Sequence, residues 1–407
     1  MIWKDNRIED AQKIIDYLYP QIKGNGITVS FLNTIAFKEL SAMTKDNINT
    51  SLILNILVKM KKSDKKSTLD FEELYNEENI KRELTKSKWG FFLPTEIMKG
   101  KYKSKSFQIY NKKFDISSYQ SLQKYLGMES MNRNIKSLCP DSLVFTKVFF
   151  VVQERGINLE DAWNKISPTF ELLRGIFQFV INRNKLIYNS GNIPLTNYQH
   201  PQWMLIKRPN NEIEGRKFFV DSCHFKKEVK LNESQYTLFN DLLRLFKNKP
   251  DEKSTLSVLA NSLRLYSQAL DAKYLYNCFL SLWQALEAVS VSEFIGGKTE
   301  KIKKRIIWHT EKYKLVGTGL KETLEVLLEK RNNLVHRGID NIDQDDVNIL
   351  KIVCEIALKW IIEEHNNLKT KLHLNEFYRL RTSNKKEIEA ILDCIKYIDN
   401  KKENFKK

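Results

Sequence analysis

Apolar and polar positions alternate in two different rhythms along this chain. Residues 5–19 place Ile8, Ala11, Ile14, Ile15, Leu18 and Tyr19 at the three-and-four spacing of an amphipathic helix. Helical stretches are predicted around 34–61 and 70–87, the second rich in Glu. Strand-like runs follow at Trp89–Leu93, Phe107–Tyr110 and Leu143–Gln153, and a long helical period occupies Leu159 to Ile181. Pro168 inside that period is expected to kink the helix or to start a new one. Residues 182–232 are rich in Asn, Gly and Pro, with short strand candidates at Trp203–Lys207 and Lys217–Asp221. No internal repeat is seen.

From Ser234 onward the strand rhythm stops. Helices are predicted over 233–247, 254–272, 274–292, 299–313, 319–336, 343–367 and 384–399. Pro250, Gly296–Gly297, Gly317 to Gly319 and Gly338 fall between them, where helix breakers belong. The fold expected is mainly α overall: an α+β N-terminal domain (1–232), an all-α helical bundle (233–370) and a C-terminal helical extension (371–407). The boundary between the first two falls between 225 and 252.

Composition narrows the class. Of 407 residues, 42 % are hydrophobic and 11 % aromatic, enough for sizeable cores and incompatible with a disordered or low-complexity chain. Five scattered cysteines (Cys139, Cys223, Cys278, Cys354, Cys394) form no Cys-x-x-Cys pair, so neither a zinc ribbon nor a dense disulfide framework is expected. No apolar stretch of signal-peptide length occurs in Met1 to Asp10, and the most apolar run, Leu143–Val152, is too short for a bilayer and is interrupted by Lys147. A cytoplasmic protein without membrane partners is expected, and neither a cofactor nor a metal is called for.

Charge adds a partner class. The net charge is +17, from 67 Lys plus Arg against 50 Asp plus Glu. Residues 251–407 carry 27 and 23 of these, leaving 40 and 27 for residues 1–250. Such an excess suits an anionic partner, nucleic acid first and acidic lipid second, or else reflects the Lys- and Asn-rich composition of an AT-rich genome. Within it, Lys99–Phe114 interleaves six lysines, among them Lys101, Lys103 and Lys105, with Tyr102, Phe107, Tyr110 and Phe114. That stretch reads either as a single-stranded RNA contact or as a solvated hairpin whose rings face the core. Lys298–His309 offers Lys303, Lys304 and Arg305 either to phosphates or to the wet face of a helix packed through Ile302, Ile306 and Ile307.

One segment stands out chemically. "EKRNNLVHRG", Glu329 to Gly338, puts Arg331, Asn332 and His336 at a helix end that Gly338 is placed to terminate, with Arg337 beside them. Asn332 and His336 share a face; Arg331 and His336 lie about 140° apart on an ideal helix. A guanidinium grips phosphate oxygens in fork geometry, and an imidazole moves protons near neutral pH. The plainer alternative is an Arg facing the helix dipole and a capping His. Upstream, Leu275, Cys278, Phe279, Leu282, Trp283, Leu286 and Val289 form an apolar stripe flanked by Glu287.

The "LWQALE" helix (Leu282 to Glu287), the "RNNLVHRG" helix end and their order resemble the HEPN superfamily, most closely the ApeA-like HEPN domains of prokaryotic antiviral defence. The resemblance covers roughly residues 250–370. It implies a metal-independent endoribonuclease of the R-x4-H type, acting in abortive infection or as a toxin, that cleaves RNA through attack by the 2′-hydroxyl. Arg331 would bind the scissile phosphate, His336 would serve as general acid or base, Asn332 would orient His336 or a phosphate oxygen, and Glu287 would hold Arg331 by an ion pair. Pairing of two motifs in a homodimer is also implied, as is an antitoxin or a phage-derived trigger protein as partner. Members silenced by nucleotidyltransferases carry Tyr two residues after the motif His, and here that position is Gly338. Some members are non-catalytic RNA-binding or assembly modules, which stands as the alternative function.

Overall fold

Ala11, Ile15 and Leu18 bury one face of helix α1 (Ile8–Leu18), as the spacing predicts. The computed structural model describes residues 3–4, 7–23, 26–27, 31–44, 50–95, 106–118, 121–122, 148–186, 201, 203–217, 231–296, 299–312, 319–382 and 385–404. Packing divides the chain into two compact units, Met1–Ser87 with Arg155–Asp161, and Lys88–Glu154 with Ala162–Lys407. The sequence-based division at 232/233 rests on pattern and composition, whereas these units are cut by packing.

In the first unit α1 is joined by α2 (Phe31–Met43), α3 (Thr50–Lys62) and α4 (Thr68–Thr85), with a two-residue ladder between β1 (Ile22–Lys23) and β2 (Gly26–Ile27). The single stretch expected at 34–61 is thus two helices. Their shared core includes Trp3, Ile15, Leu40, Ile53, Ile56 and Phe71. Ser67 and Asp70 exchange side-chain and backbone bonds at the start of α4, which satisfies amides that have no partner inside the helix.

The second unit contains a six-stranded antiparallel sheet. Its strands are β3 (Ser87–Thr95), β4 (Ser106–Ile109), β5 (Lys112–Ser118), β6 (Val148–Gly156), β7 (Trp203–Lys207) and β8 (Ile213–Lys217), in the order β4-β5-β6-β3-β7-β8. Side chains alternate across the sheet. Phe92, Phe149, Trp203 and Leu205 therefore share one cluster, while Phe150 stacks on Phe177 of helix α5 (Leu159–Asn182). Of the strand candidate at Lys217–Asp221 only Lys217 is described, as the last described residue of β8, and the rest lies outside the described residues. β5 was not among the strand candidates, because its Lys- and Ser-containing sequence shows little apolar alternation. Pro168 starts no new helix: α5 runs through it, with Ile166, Phe170, Leu172 and Leu173 buried on both sides of the proline. Tertiary packing outweighs the local breaker there.

The remaining helices are α6 (Glu233–Leu245), α7 (Thr255–Asp271), α8 (Leu275–Val289), α9 (Thr299–Lys312), α10 (Leu320–Arg337), α11 (Gln344–Glu364), α12 (Lys371–Thr382) and α13 (Lys385–Asn404). All but α12 match predicted helices to within a few residues. α8 packs against both α7 and α11, and α9 against α11 and α12. At Gly175 an added Cβ would lie 2.5 Å from the Leu263 carbonyl oxygen, so the absent side chain lets α5 approach the α7 backbone. α12, lying in the segment expected as an extension, buries Leu374 and Tyr378.

α11 begins with a capping box in which Asp343 accepts from the Asp346 amide at 2.9 Å and Asp346 accepts from the Asp343 amide at 3.0 Å. That amide bond, aided by Lys330, holds the Asp343 carboxyl below its ordinary value of 3.8. A depressed folded-state value means the contribution to stability is present above the ordinary value and is lost as pH falls through the folded one. Asp343→Ala should cost about 1 kcal/mol at pH 7, the usual worth of an N-cap. Urea denaturation should show the gap between variant and wild type closing as pH is lowered below 3.8; a gap independent of pH would contradict the cap's role.

Candidate active site

α10 ends where the sequence places its stop. Gly338 takes a left-handed φ of 68°, its amide bonds the Leu334 carbonyl at 3.2 Å, and the Ile339 amide bonds that of Asn333 at 3.3 Å. Glycine reaches this conformation without a Cβ penalty. The last turn thus presents His336 and Arg337 to solvent, one turn beyond the half-buried Arg331, Asn332 and Asn333.

Arg331 is held from two directions. Its Nη2 lies 3.3 Å from Glu287 Oε1 on α8, and its Nη1 donates to Asn332 Oδ1 at 3.2 Å. Glu287 Oε1 also accepts from Trp283 Nε1 at 2.9 Å. About a quarter of each ionic side chain is exposed (23 % for Arg331, 25 % for Glu287), so the pair is partly desolvated yet reachable. The preceding residue, Lys330, turns the other way to Asp346 at 2.5 Å and Asp343 at 3.4 Å, fixing this turn of α10 to the start of α11. His336 makes no hydrogen bond to Glu287, Arg331 or Asn332. The structure therefore joins three of the four residues singled out, with the histidine on the exposed helix end.

On another side Glu287 lines an open cleft of about 470 Å³ between α7 and α8, together with Asn261, Leu265, Gln284, Val291 and Lys371. Trp283 was read only as part of an apolar stripe. The signal for its second role was the four-residue Trp–Glu spacing, which places indole and carboxylate on one helical face.

The basic residues separate into two groups. Lys303 and Arg305 do not form the expected phosphate-contacting face. Lys303 is 9 % exposed and pairs with Glu300 and Glu325; Arg305 is 4 % exposed, bonding the Ser290 carbonyl and, at 2.9 Å, Asn375 Oδ1. Its guanidinium also sits 4.8 Å from the centre of the Tyr378 ring. Tertiary partners from distant segments have turned both inward. Lys304 and Arg337 are exposed.

Lys101, Lys103 and Lys105 lie outside the described residues. In the described part of that stretch, residues 106–114, Phe107 and Phe114 pack inward, which matches the hairpin reading and not a base-stacking platform. Phe114 is fully buried and stacks with Phe107 at 5.6 Å, and Phe107 meets Phe239 edge-on at 5.9 Å. Burial pushes the Tyr110 phenol up to about 12.

Among the described residues no group of three or more His, Cys, Asp or Glu is placed to hold a metal, and no helix is long and apolar enough to cross a membrane. Comparison with known proteins finds no matching family model, no matching curated protein and no matching solved structure.

The two cationic groups predict opposite phenotypes. Arg305→Ala should lower the thermal midpoint by several degrees, since it leaves the Ser290 carbonyl and the Tyr378 face without their cation. Lys304→Ala with Arg337→Ala should leave the midpoint within about 1 °C, because both side chains face solvent. Thermal melts of the two variants beside wild type read both effects.

Proposed function

We propose that this protein is a metal-independent endoribonuclease of the HEPN type, acting in antiviral abortive infection or as a toxin in the cytoplasm. The observation that carries the reading is the ion pair that holds Arg331 between Glu287 and Asn332 at a helix end whose last turn exposes His336. In this reading Arg331 meets the non-bridging oxygens of the scissile phosphate and offsets the charge that builds on them. A histidine takes the proton from the ribose 2′-hydroxyl, whose oxygen attacks phosphorus. The bond to the 5′-oxygen breaks, and that oxygen receives a proton from a second general acid. The products are a 2′,3′-cyclic phosphate and a 5′-hydroxyl.

One chain's motif supplies a single imidazole. A homodimer bringing two copies of His336 to one cleft provides both base and acid. Lys304 and Arg337 would add phosphate contacts. A separate antitoxin or a phage-derived trigger protein would govern the activity. His336 has no orienting hydrogen bond from Glu287, Arg331 or Asn332, and this favours a second reading, a non-catalytic RNA-binding or assembly module.

Labelled RNA incubated with the purified chain in EDTA separates the readings: cleavage leaving a 2′,3′-cyclic phosphate supports the nuclease, and binding without cleavage supports the module. His336→Ala should lower cleavage by roughly 10²–10⁴ with little change in affinity. Arg331→Ala should weaken both, and Arg331→Lys should rescue poorly because an ammonium lacks the planar fork. Variants with wild-type melting curves that cut at the wild-type rate would end the catalytic reading.

The oligomeric state gives an independent check. Light scattering at micromolar concentration should show a dimer, and mixing His336→Ala chains with Arg331→Ala chains should alter activity relative to either alone. A strict monomer with full activity would refute the shared-cleft arrangement.

A further inference from the structure

We propose that Trp283 is a positioning residue for Arg331, acting through Glu287; the inference rests on the reading of Arg331 as the phosphate-binding group. The indole Nε1–H donates to Glu287 Oε1 at 2.9 Å, and the same oxygen receives Arg331 Nη2 at 3.3 Å. One carboxylate oxygen is thus fixed by a neutral donor on its own helix before it meets the cation from α10. Trp283 and Glu287 are four residues apart on α8, so their rotamers are coupled along one face.

The indole is itself immobile. Trp283 is 2 % exposed, and its ring lies over Phe279 at 6.4 Å with only 21° between the planes. A glutamate that is one-quarter exposed and borders an open cleft would otherwise sample several rotamers, most of them leaving Arg331 unpaired. The buried N–H selects one. Arg331, paired on one side and bonded to Asn332 on the other, then presents its fork in a fixed orientation. Packing alone asks only for a large apolar ring at position 283; the positioning role asks for the N–H.

Two substitutions separate these demands. Trp283→Phe keeps an aromatic ring and loses the donor. Site-specific replacement by benzothienylalanine keeps the bicyclic shape, with sulfur in place of N–H. The analogue should melt like wild type and cleave RNA about tenfold more slowly, the effect of losing one hydrogen bond to a charged group. In an Arg331→Ala background the same replacement should cause no further loss, since the group it positions is gone. Wild-type cleavage by the folded analogue, or an undiminished loss in that background, would overturn the proposal.

Nitrogen-15 NMR supplies a readout that does not depend on activity. The Trp283 indole N–H should be protected from solvent exchange and should move upfield in Glu287→Gln. The Arg331 Nη resonances should be distinct in wild type and averaged in the analogue. A wild-type chain that cleaves no RNA but gives these spectra would sink the nuclease reading and leave the positioning role standing. An indole N–H that exchanges freely and ignores Glu287→Gln would sink the positioning role by itself.

Discussion

A lysine with no solvent exposure ties the sheet helix to the bundle in the larger unit. Lys351 on α11 donates at 2.8 Å to the carbonyls of Asn182 and Lys185, at and just past the end of α5, and pairs with buried Glu355 one turn along its own helix. Glu355 in turn accepts from the Asn184 amide at 2.8 Å and from the Tyr266 hydroxyl on α7. Removing two charges from water costs several kcal/mol each, and only dense hydrogen bonding offsets that. Here the ammonium meets carbonyls at a helix C-terminus, where the dipole favours a cation. Burial and the neighbouring Glu355 carboxylate raise the Tyr266 phenol well above its ordinary value, which keeps it a donor. Three helices are thereby fixed against one another by one network.

α8 lies between two of those three helices, packed on α7 and α11, and the Ser262 hydroxyl of α7 bonds the Ala285 carbonyl of α8 at 3.2 Å. The frame therefore sets where Glu287 stands. α10 is located separately, through Lys330 on the capping box of α11. Arg331 is where these two constraints meet, with one neighbour in sequence tied to α11 and its own guanidinium tied to α8. Five residues further on, His336 is past both ties. A guanidinium fixed from two sides thus stands about one turn before a solvent-facing imidazole.

The bundle was legible because its helices bury continuous stripes: Leu282, Trp283 and Leu286 on α8, and Val347, Leu350, Val353 and Ile361 on α11, are all buried. α12 was missed because three residues, Leu374, Phe377 and Tyr378, form its short apolar face while Leu372 points outward at 56 % exposure. Its stability comes from an aromatic cluster with Trp308 and Trp360, which no local pattern can announce. Glu287 was reached through the motif rather than through periodicity, and its Oε1 lies 3.3 Å from Arg331 Nη2. Lys303 and Arg305 went the other way. Long cationic stems on a helix look solvated in sequence, and only partners beyond the helix, Glu325 for Lys303 and Ser290 and Asn375 for Arg305, show that these two are covered.

That difference also separates the chain's two Arg–His constellations. Arg305 and His309 lie four apart on α9, one residue closer than Arg331 and His336, and residue type alone gives them equal claim to phosphate chemistry. Their surroundings do not. His309 is fully buried, its Nε2 sharing a 2.7 Å hydrogen bond with the Tyr378 hydroxyl, and its ring lies against Trp308 and Trp360. Desolvation lowers the Arg305 pKa and lifts that of Tyr378, the mark of polar groups removed from water. A phosphodiester carries its charge and its hydration with it, so it can approach only a cation that still faces solvent. Arg331 retains that access while keeping a carboxylate to orient it. Burial, rather than spacing, is what makes one pair an internal strut and leaves the other facing solvent.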